Sequence, residues 1–405
     1  MTRDMPSMNG APVGWVAFGR HVDDGMGIAS SAAVVNFILD QLRSDWTITS
    51  SGWDKLLGYS CVLTEDDDSC VIQLHCLPYL KQLAAAHTAG ESVYNPKLPC
   101  TQTLLLTKAG ELPPADSPDR PAFEKMQSNF SSGVGSTIWA MRVHDKLVFP
   151  TTWLCSLMSN PSHQAYKLWK QSVLHEVAFP RPLEFGGHGR RPLQVDLNVD
   201  LPFGGGKPIC GLHMFTDSNL GSPRPYDDVE CKAIAHGTAR ANPPAMGRSI
   251  TGGIICAGGG SIATVCQRQH NIAPDSTAAE ITACGTMLNK LVPIAGLFAE
   301  LRLPSLRAIP VFVDSQSMIF VANDQAAVKR SVWILRRSAV LREFVDQQVV
   351  EFFKVGDPEN VANLLTKPLT LEKLNKYLSY LKPASPTSYL QGIVLTACSS
   401  RICFD

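Results

Sequence analysis

The sequence has no CxxC pair and no regular cysteine framework, although it contains 12 cysteines. That argues against a zinc ribbon and against a small secreted disulfide scaffold. Reduced thiols in an intracellular compartment, cytoplasmic or nuclear, are the simplest expectation. The opening residues, MTRDMPSMNGAPVGW, lack the apolar core of a signal peptide. No uninterrupted apolar run approaches the ~20 residues of a membrane span, so a soluble chain with no membrane partner is expected. Net charge is missing too: 36 Lys and Arg balance 36 Asp and Glu. The overall charge therefore gives no hint of a polyanionic partner. There is no internal repeat.

Acids are also missing locally. None occurs between Glu230 and Asp275, a stretch holding Lys232, Arg240, Arg248 and Arg268. None occurs between Asp324 and Glu343, where Lys329, Arg330, Arg336, Arg337 and Arg342 lie. Basic stretches in a neutral chain suit contact with phosphate; solvated surface charge is the competing reading. Lys329, Trp333, Arg336 and Arg337 fall near one helical face, which leaves Trp333 either to stack on a base or to face the core. His213 and His270 are isolated, which fits core packing or surface placement better than metal binding.

With 405 residues, 45% hydrophobic and 18% charged, the chain can bury a core in two or three domains. WVAF and MGIA read as strands flanking Asp23 and Asp24, a hairpin tip. Ser30 or Ser31 can cap a helix carrying Val34, Val35, Ile38 and Leu42 at helical spacing. LLGYSCVL and CVIQLHCL form a second hairpin around the acidic turn Glu65 to Asp68. LPYLKQLAAAH is a helix, ELPPADSPDRPAF a Pro-rich connection, and LCSLMSNPSHQAYKLWKQSVLHEV helical with a break at Pro161. The Gly- and Pro-rich stretch from Pro180 to Pro208 marks the main boundary. Beyond it the order is strand, hairpin, helix (about 277–301), strand, helices (about 317–323 and 326–344), strand and a last short helix: a mixed α/β domain with one sheet.

In that domain Asp217 and Asp314 end two strands, and Glu280 lies in the first turn of the long helix, where the backbone dipole favours a carboxylate. Three acids at element ends can converge beside a sheet. Hard oxygen ligands of this kind suit Mg2+. Acids at element ends are also common as caps or turn residues, so position alone does not decide.

The local words decide more. TDSNLG, RSITGG, STAAEI, VFVDSQSMIFVAN and ENVANLLTKPL occur in that order. They resemble the ribonuclease H domain that ends copia-type retrotransposon polyproteins. Upstream, HVDDGMGIAS is similar to the Y-V-D-D motif of the family's polymerase. KLLGYSCVL resembles its K-Y-F-L-G-I segment, and LMSNPSHQAYKLWKQSVLHEV its F-M-x-N-P segment. The resemblance covers about residues 12–107 and 150–381.

It implies an α/β (α+β) architecture in five parts. These are a truncated reverse transcriptase palm region at 1–107, a thumb- or connection-like helical region at 108–180, and a linker at 181–209. A ribonuclease H-like mixed-sheet domain at 210–382 and a tail at 383–405 follow. It implies cleavage of RNA in RNA–DNA hybrids with two Mg2+ ions, held by Asp217, Glu280, Asp314 and, at the fourth acid's position, Asn363. Asp23 and Asp24 match the metal-holding pair of the polymerase. Ser249, Gly252 and Gly253 match strand positions that could help position a hybrid, with Lys329, Arg330, Arg336 and Arg337 as further nucleic-acid contacts.

Departures from the family pattern temper these expectations. Only 22 residues precede Asp23, and Asp4 has no strand context, so a third polymerase carboxylate is not expected. The chain reads as part of a longer polyprotein or a decayed copy. Asn363 brings no charge, so a second ion would be held less tightly. Asn363→Asp is then expected to raise cleavage. Val332, Trp333 and Ala339 replace a lysine and two histidines, and about twenty extra residues separate the first strand from Arg248. Impaired catalysis is expected, with a non-catalytic nucleic-acid-binding protein as the alternative.

Overall fold

The structure is a computed structural model. It describes residues 2–5, 14–21, 24–29, 31–51, 54–65, 69–88, 96–188, 211–221, 247–301, 303, 308–325, 332–381 and 400–404.

The C-terminal half is built on a five-stranded mixed sheet. Its strands are β9 (His213–Asn219), β10 (Ile250–Ala257), β11 (Gly260–Arg268), β12 (Ile309–Val313) and β13 (Val350–Lys354). Their order is β11-β10-β9-β12-β13. β10 runs antiparallel to both β11 and β9, whereas β12 is parallel to β9 and to β13. Strands buried on both faces read as continuous apolar runs, which is the pattern of HMFT and IPVFV. Adjacent residues serve opposite faces. Met214, Ile255, Val311 and Val313 pack under α6 (Ser276–Glu300), α7 (Gln316–Ala322) and α8 (Val332–Asp346). Phe215, Ile254, Cys256 and Phe312 pack under the 3-10 turn Val361–Leu365 and α9 (Leu371–Tyr380); a second 3-10 turn, Asp357–Glu359, precedes them and buries no side chain. The five strands and helices α6 to α8 match the sequence reading, and the architecture is mixed α/β as expected; the last short helix read at ENVANLLTK is a 3-10 turn, and α9 was not foreseen.

Among the described residues one helix, α6, is long and apolar enough to cross a membrane. Here its residues from Ala278 to Leu291 form the core helix of the mixed sheet. Cys61, Cys76, Cys100, Cys155, Cys256, Cys266 and Cys284 are free thiols.

The N-terminal half carries two smaller sheets. One joins β1 (Thr2–Met5), β2 (Gly14–His21), β3 (Asp24–Ala29) and β4 (Ile48–Ser51) with β14 (Ser400–Phe404). Helix α1 (Ala32–Asp45) lies on it through Val34, Val35 and Leu39, and Ser31 caps it by accepting from Val34 N. The other sheet joins β5 (Lys55–Leu56), β6 (Tyr59–Glu65), β7 (Ser69–His75) and β8 (Leu183–His188). Beside it α2 (Leu77–Thr88), α3 (Arg120–Ala140), α4 (Val148–Cys155) and α5 (His163–Ala178) bury Leu80, Phe130, Leu154 and Trp169.

Three features depart from the sequence reading. Residues 183–188, read as linker, form a strand on β7. Residues 400–404, read as tail, pair with β3 and β4. Asp4, read as lacking strand context, sits in β1 opposite Trp15. The register places it far from the hairpin tip, however. β2 reaches Asp24 through His21, six residues beyond Trp15, or roughly 20 Å along a strand.

The two halves meet through buried polar groups. Gly186 N donates to Gly258 O at 3.0 Å. The Ser261 hydroxyl donates to the buried Asp145 carboxylate at 2.8 Å. Arg181 donates to the carbonyls of Leu378 and Leu381 at the end of α9, where helix carbonyls lack helical partners. Behind them His144 Nδ1 and Lys146 Nζ lie 2.9 and 3.1 Å from the carboxylate of Glu176, and all three side chains are buried.

Candidate metal centre

β9 and β12 are parallel neighbours, with Phe312 opposite Phe215. Their C-terminal ends therefore emerge side by side, Asp217 from one and Asp314 just past the other. Helix α6 starts over the same edge. Asp275 caps it by accepting from Ala278 N at 2.8 Å, and one turn later Glu280 reaches back to accept from Ser218 N at 3.1 Å. Carboxylate oxygens of Asp217, Glu280 and Asp314 all lie within 4.8 Å of one another. The structure thus brings together the three acids singled out in the sequence.

Further residues that the sequence reading missed hold the arrangement. The Thr366 hydroxyl donates to Asp217 Oδ2. Asn219 Nδ2 donates to Thr366 O at 3.1 Å. Gln269 Nε2 spans Ser218 Oγ, Thr251 Oγ1 and Ala279 O, tying β9, β10 and α6 to one side chain. Gly252, opposite Asp217 in the ladder, explains how Thr366 comes so close: a Cβ there would run into the Thr366 methyl and the Ala362 carbonyl. Gly253 in turn admits the Met287 thioether.

Burial dominates the electrostatics. Asp217 is 3% exposed and Glu280 6%. Desolvation, with the neighbouring acids adding to it, pushes Asp217 up to about 6 and Glu280 well above its usual range. Asp314 is also raised, chiefly by burial. The positive charge of Lys367 opposes the rise at all three. Glu280 Oε2 is buried with no hydrogen-bond partner, a costly state for a carboxylate oxygen.

These features fit a divalent cation. The donors are hard oxygens, and one of them is buried and unsatisfied. Three ligands at ~2.1 Å from a common ion lie roughly 3–3.6 Å from one another, so the three side chains would draw together on binding.

The remaining candidates fall elsewhere. Asn363 is buried, and its Nδ2 donates to Asp357 O, Asp357 Oδ1 at 3.4 Å and Tyr377 Oη at 3.0 Å. The amide orientation follows because a backbone carbonyl only accepts. Its Oδ1 is buried without a partner. Asn363 therefore knits the 357–363 turn to α9. The amide nitrogen is thus committed to this turn, while the oxygen that a fourth ligand would offer is not. Ser249 is fully buried and accepts from Gly221 N at 3.4 Å, so it braces the β9–β10 connection and offers no exposed hydroxyl to a phosphate. His213 is buried with its ring on Gly211 O, the core placement anticipated. Arg336 is exposed and Arg337 half-buried on α8. Lys329 and Arg330 lie outside the described residues, as do Asp23 and the insertion near 223–244; Asp24 begins β3.

No known family model matches the sequence. The chain is 27% identical over 173 residues to the "Retrovirus-related Pol polyprotein from transposon TNT 1-94" of Nicotiana tabacum. The match covers 43% of this chain and 11% of that polyprotein. Two solved ribonuclease H structures also align with it. One is the N-terminal domain of a Mycobacterium tuberculosis protein fused to maltose-binding protein, at 13% identity and a TM-score of 0.27, covering 42% of this chain and 97% of that one. The other is an RNase H1 isolated from compost, at 16% identity and a TM-score of 0.28, covering 42% and 99%. Over these 173 residues the chain is thus similar to a retrotransposon Pol polyprotein, the kind of relative that the order of its sequence words indicated, and it spans about a tenth of that polyprotein's length.

Proposed function

We propose that the mixed α/β domain is a retroelement-derived ribonuclease H-like unit. Asp217, Glu280 and Asp314 would hold Mg2+ or a similar divalent cation, and the substrate would be the RNA strand of an RNA–DNA hybrid. The observation that carries this reading is the convergence of three carboxylates from three elements, one with an unsatisfied buried oxygen. When bound, the cation supplies a Lewis acid for a phosphoryl oxygen and an activated water. The chain's own part is positional. Thr366 orients Asp217, Ser218 N orients Glu280, and the buried walls keep bulk water from competing for the carboxylates.

The reading includes weak catalysis. The neutral Asn363 and the nearby lysines leave little negative charge for a second cation. Cleavage of an end-labelled hybrid should be slow, divalent-metal-dependent and abolished in Asp217→Asn. Hybrid binding without cleavage would support the alternative, a non-catalytic nucleic-acid-binding protein. Its affinity should then fall steeply with salt as phosphate contacts are screened.

Two more outcomes follow from the geometry. Asn363→Asp should not restore cleavage. It places a carboxylate oxygen against the Asp357 carbonyl and removes the donors to Tyr377, with an expected loss of about 1–3 kcal/mol. A thermal melt and the hybrid assay, run on the same protein, check both parts. No primer extension on an RNA template is expected, because Asp4 stands roughly 20 Å from the hairpin tip along the ladder. Nucleotide incorporation that vanishes in Asp24→Ala would contradict this.

A further inference from the structure

Where the two halves meet, a cavity of about 660 Å3 opens between the end of α5 and one face of α9. The cation chemistry proposed above makes no use of it. Leu371, Leu374, Asn375 and Leu378 line it from α9, at the spacing of one helical face. Phe179, Pro180 and Pro182 line it from the other half. Leu374 and Leu378 are buried, but Leu371 is 43% exposed and Phe179 49%, so two large apolar side chains of one opening face water. Phe179 is held in place: its ring lies 5.4 Å from that of His175, and its carbonyl accepts from Lys146 Nζ.

The charged lining is mostly cationic: Lys97, Lys146 and Arg181 against Glu184. Lys146 is paired with Glu176 at 3.1 Å, which leaves Lys97 and Arg181 beside one acid. Glu184 in turn accepts from Gln73 Nε2 at 2.9 Å. Arg181 places Nη2 on the carbonyls of Leu378 and Leu381, and carbonyls do not neutralise its charge. Lys97 is exposed and pairs with no acid among the described residues. Its backbone is nevertheless fixed on both sides: His175 Nδ1 donates to Pro96 O at 2.9 Å and Gln171 Nε2 to Leu98 O at 3.3 Å. Small-molecule sites are typically apolar hollows with a few placed polar groups, and here those groups carry an excess of positive charge. We propose that the cavity binds a small amphipathic monoanion, its apolar body against Phe179, Leu371 and Leu378 and its anionic head at Lys97 and Arg181. Such a ligand touches both halves, so its binding stabilises their docking by mass action.

The probe is 2-naphthoate, titrated calorimetrically into the full chain in a chelator. Two controls separate its parts: 2-naphthamide keeps the body and removes the charge, and acetate keeps the charge and removes the body. The wild-type chain is expected to bind 2-naphthoate saturably at one site and to melt at a higher temperature in its presence. 2-Naphthamide should bind roughly tenfold more weakly, the usual worth of one charge-assisted hydrogen bond, and acetate not measurably. Lys97→Met keeps the apolar stem and should weaken 2-naphthoate by a similar factor, whereas Lys97→Arg should not. Leu371→Glu puts an acid in the apolar wall and should abolish binding. Both positions are exposed, so these variants should fold, and thermal melts establish that they do. No saturable binding to the folded wild-type chain would overturn the inference. So would 2-naphthamide binding as tightly as 2-naphthoate, or 2-naphthoate affinity unchanged in Lys97→Met or in Leu371→Glu. None of these outcomes bears on the cation site.

Discussion

Glu176→Ala is expected to destabilise the folded chain by about 3–5 kcal/mol, the usual result of removing one partner from a buried ionic group. Glu176 and His144 have fully buried side chains, and Lys146 is 4% exposed. Burial by itself would raise the Glu176 carboxyl. The His144 hydrogen bond and the Lys146 charge outweigh it and hold the group below its usual range. Glu176 Oε1 also accepts from Arg181 N at 2.9 Å, so the same side chain ties the end of α5 to the segment that leads into β8. Alanine would strand the Lys146 ammonium, which burial already pushes down, together with the Arg181 amide. Loss of this group should also loosen the docking of α9, whose terminal carbonyls Arg181 binds. Urea unfolding monitored by tryptophan fluorescence measures the effect. A loss under about 1 kcal/mol would mean that water replaces the carboxylate at little cost.

The second large effect has opposite signs with and without metal. Asp217→Asn should stabilise the metal-free chain at pH 8 by up to about 3 kcal/mol, the equivalent of the rise of Asp217 from 3.8 to about 6. The sign follows from proton counting. Asp217, Glu280 and Asp314 all hold their protons more tightly in the folded state than in the unfolded chain. Their contribution is therefore complete below the unfolded values near pH 4. It is lost as pH rises through the raised folded values, near 6 for Asp217 and well above the usual carboxylate range for Glu280. In a chelator the wild-type melting temperature should accordingly drop between pH 5 and pH 8. The asparagine variant should drop less. Adding Mg2+ at pH 8 should recover stability in the wild-type chain and not in the variant, because ligand binding to the folded state alone stabilises it by mass action. A variant less stable than wild type in the chelator would show that the Thr366–Asp217 contact contributes more than the repulsion among the acids.

Much of this site was legible in the sequence, for a physical reason. Doubly buried strands are short apolar runs, and the first charged residue after such a run marks its end. Asp314 was placed in this way, and Asp217 was read together with it from HMFTDS. Glu280 was placed in the first turn of a helix read from about Thr277, within the word STAAEI. Asn363 was found at the right segment, but residue identity does not say which way an amide turns. That is decided by the Asp357 carbonyl and Tyr377, fourteen residues on. Thr366 and Lys367 came into the site only because Gly252 lets the 361–366 segment lie against β10, a tertiary fact. Helix α3 was read only as part of a helical region at 108–180, without bounds of its own, because SSGVGST has poor helix propensity. Its glycine at 133 is there for packing, since a Cβ would meet the Trp169 ring. β8 and β14 were missed because short strands take their identity from the partners they join.

The account rests on the claim that Asp217, Glu280 and Asp314 form a divalent-cation site, and calorimetric titration of Mg2+ tests it most directly. The titration is run at pH 5 and pH 8 in two buffers of different ionisation heat. The account predicts binding at pH 8 that weakens at pH 5 and releases protons, since the cation displaces those held by the raised carboxyls. It also predicts no binding in the folded Asp217→Asn chain. Heats that are the same in the wild-type chain and in Asp217→Asn, with no dependence on buffer, would contradict it.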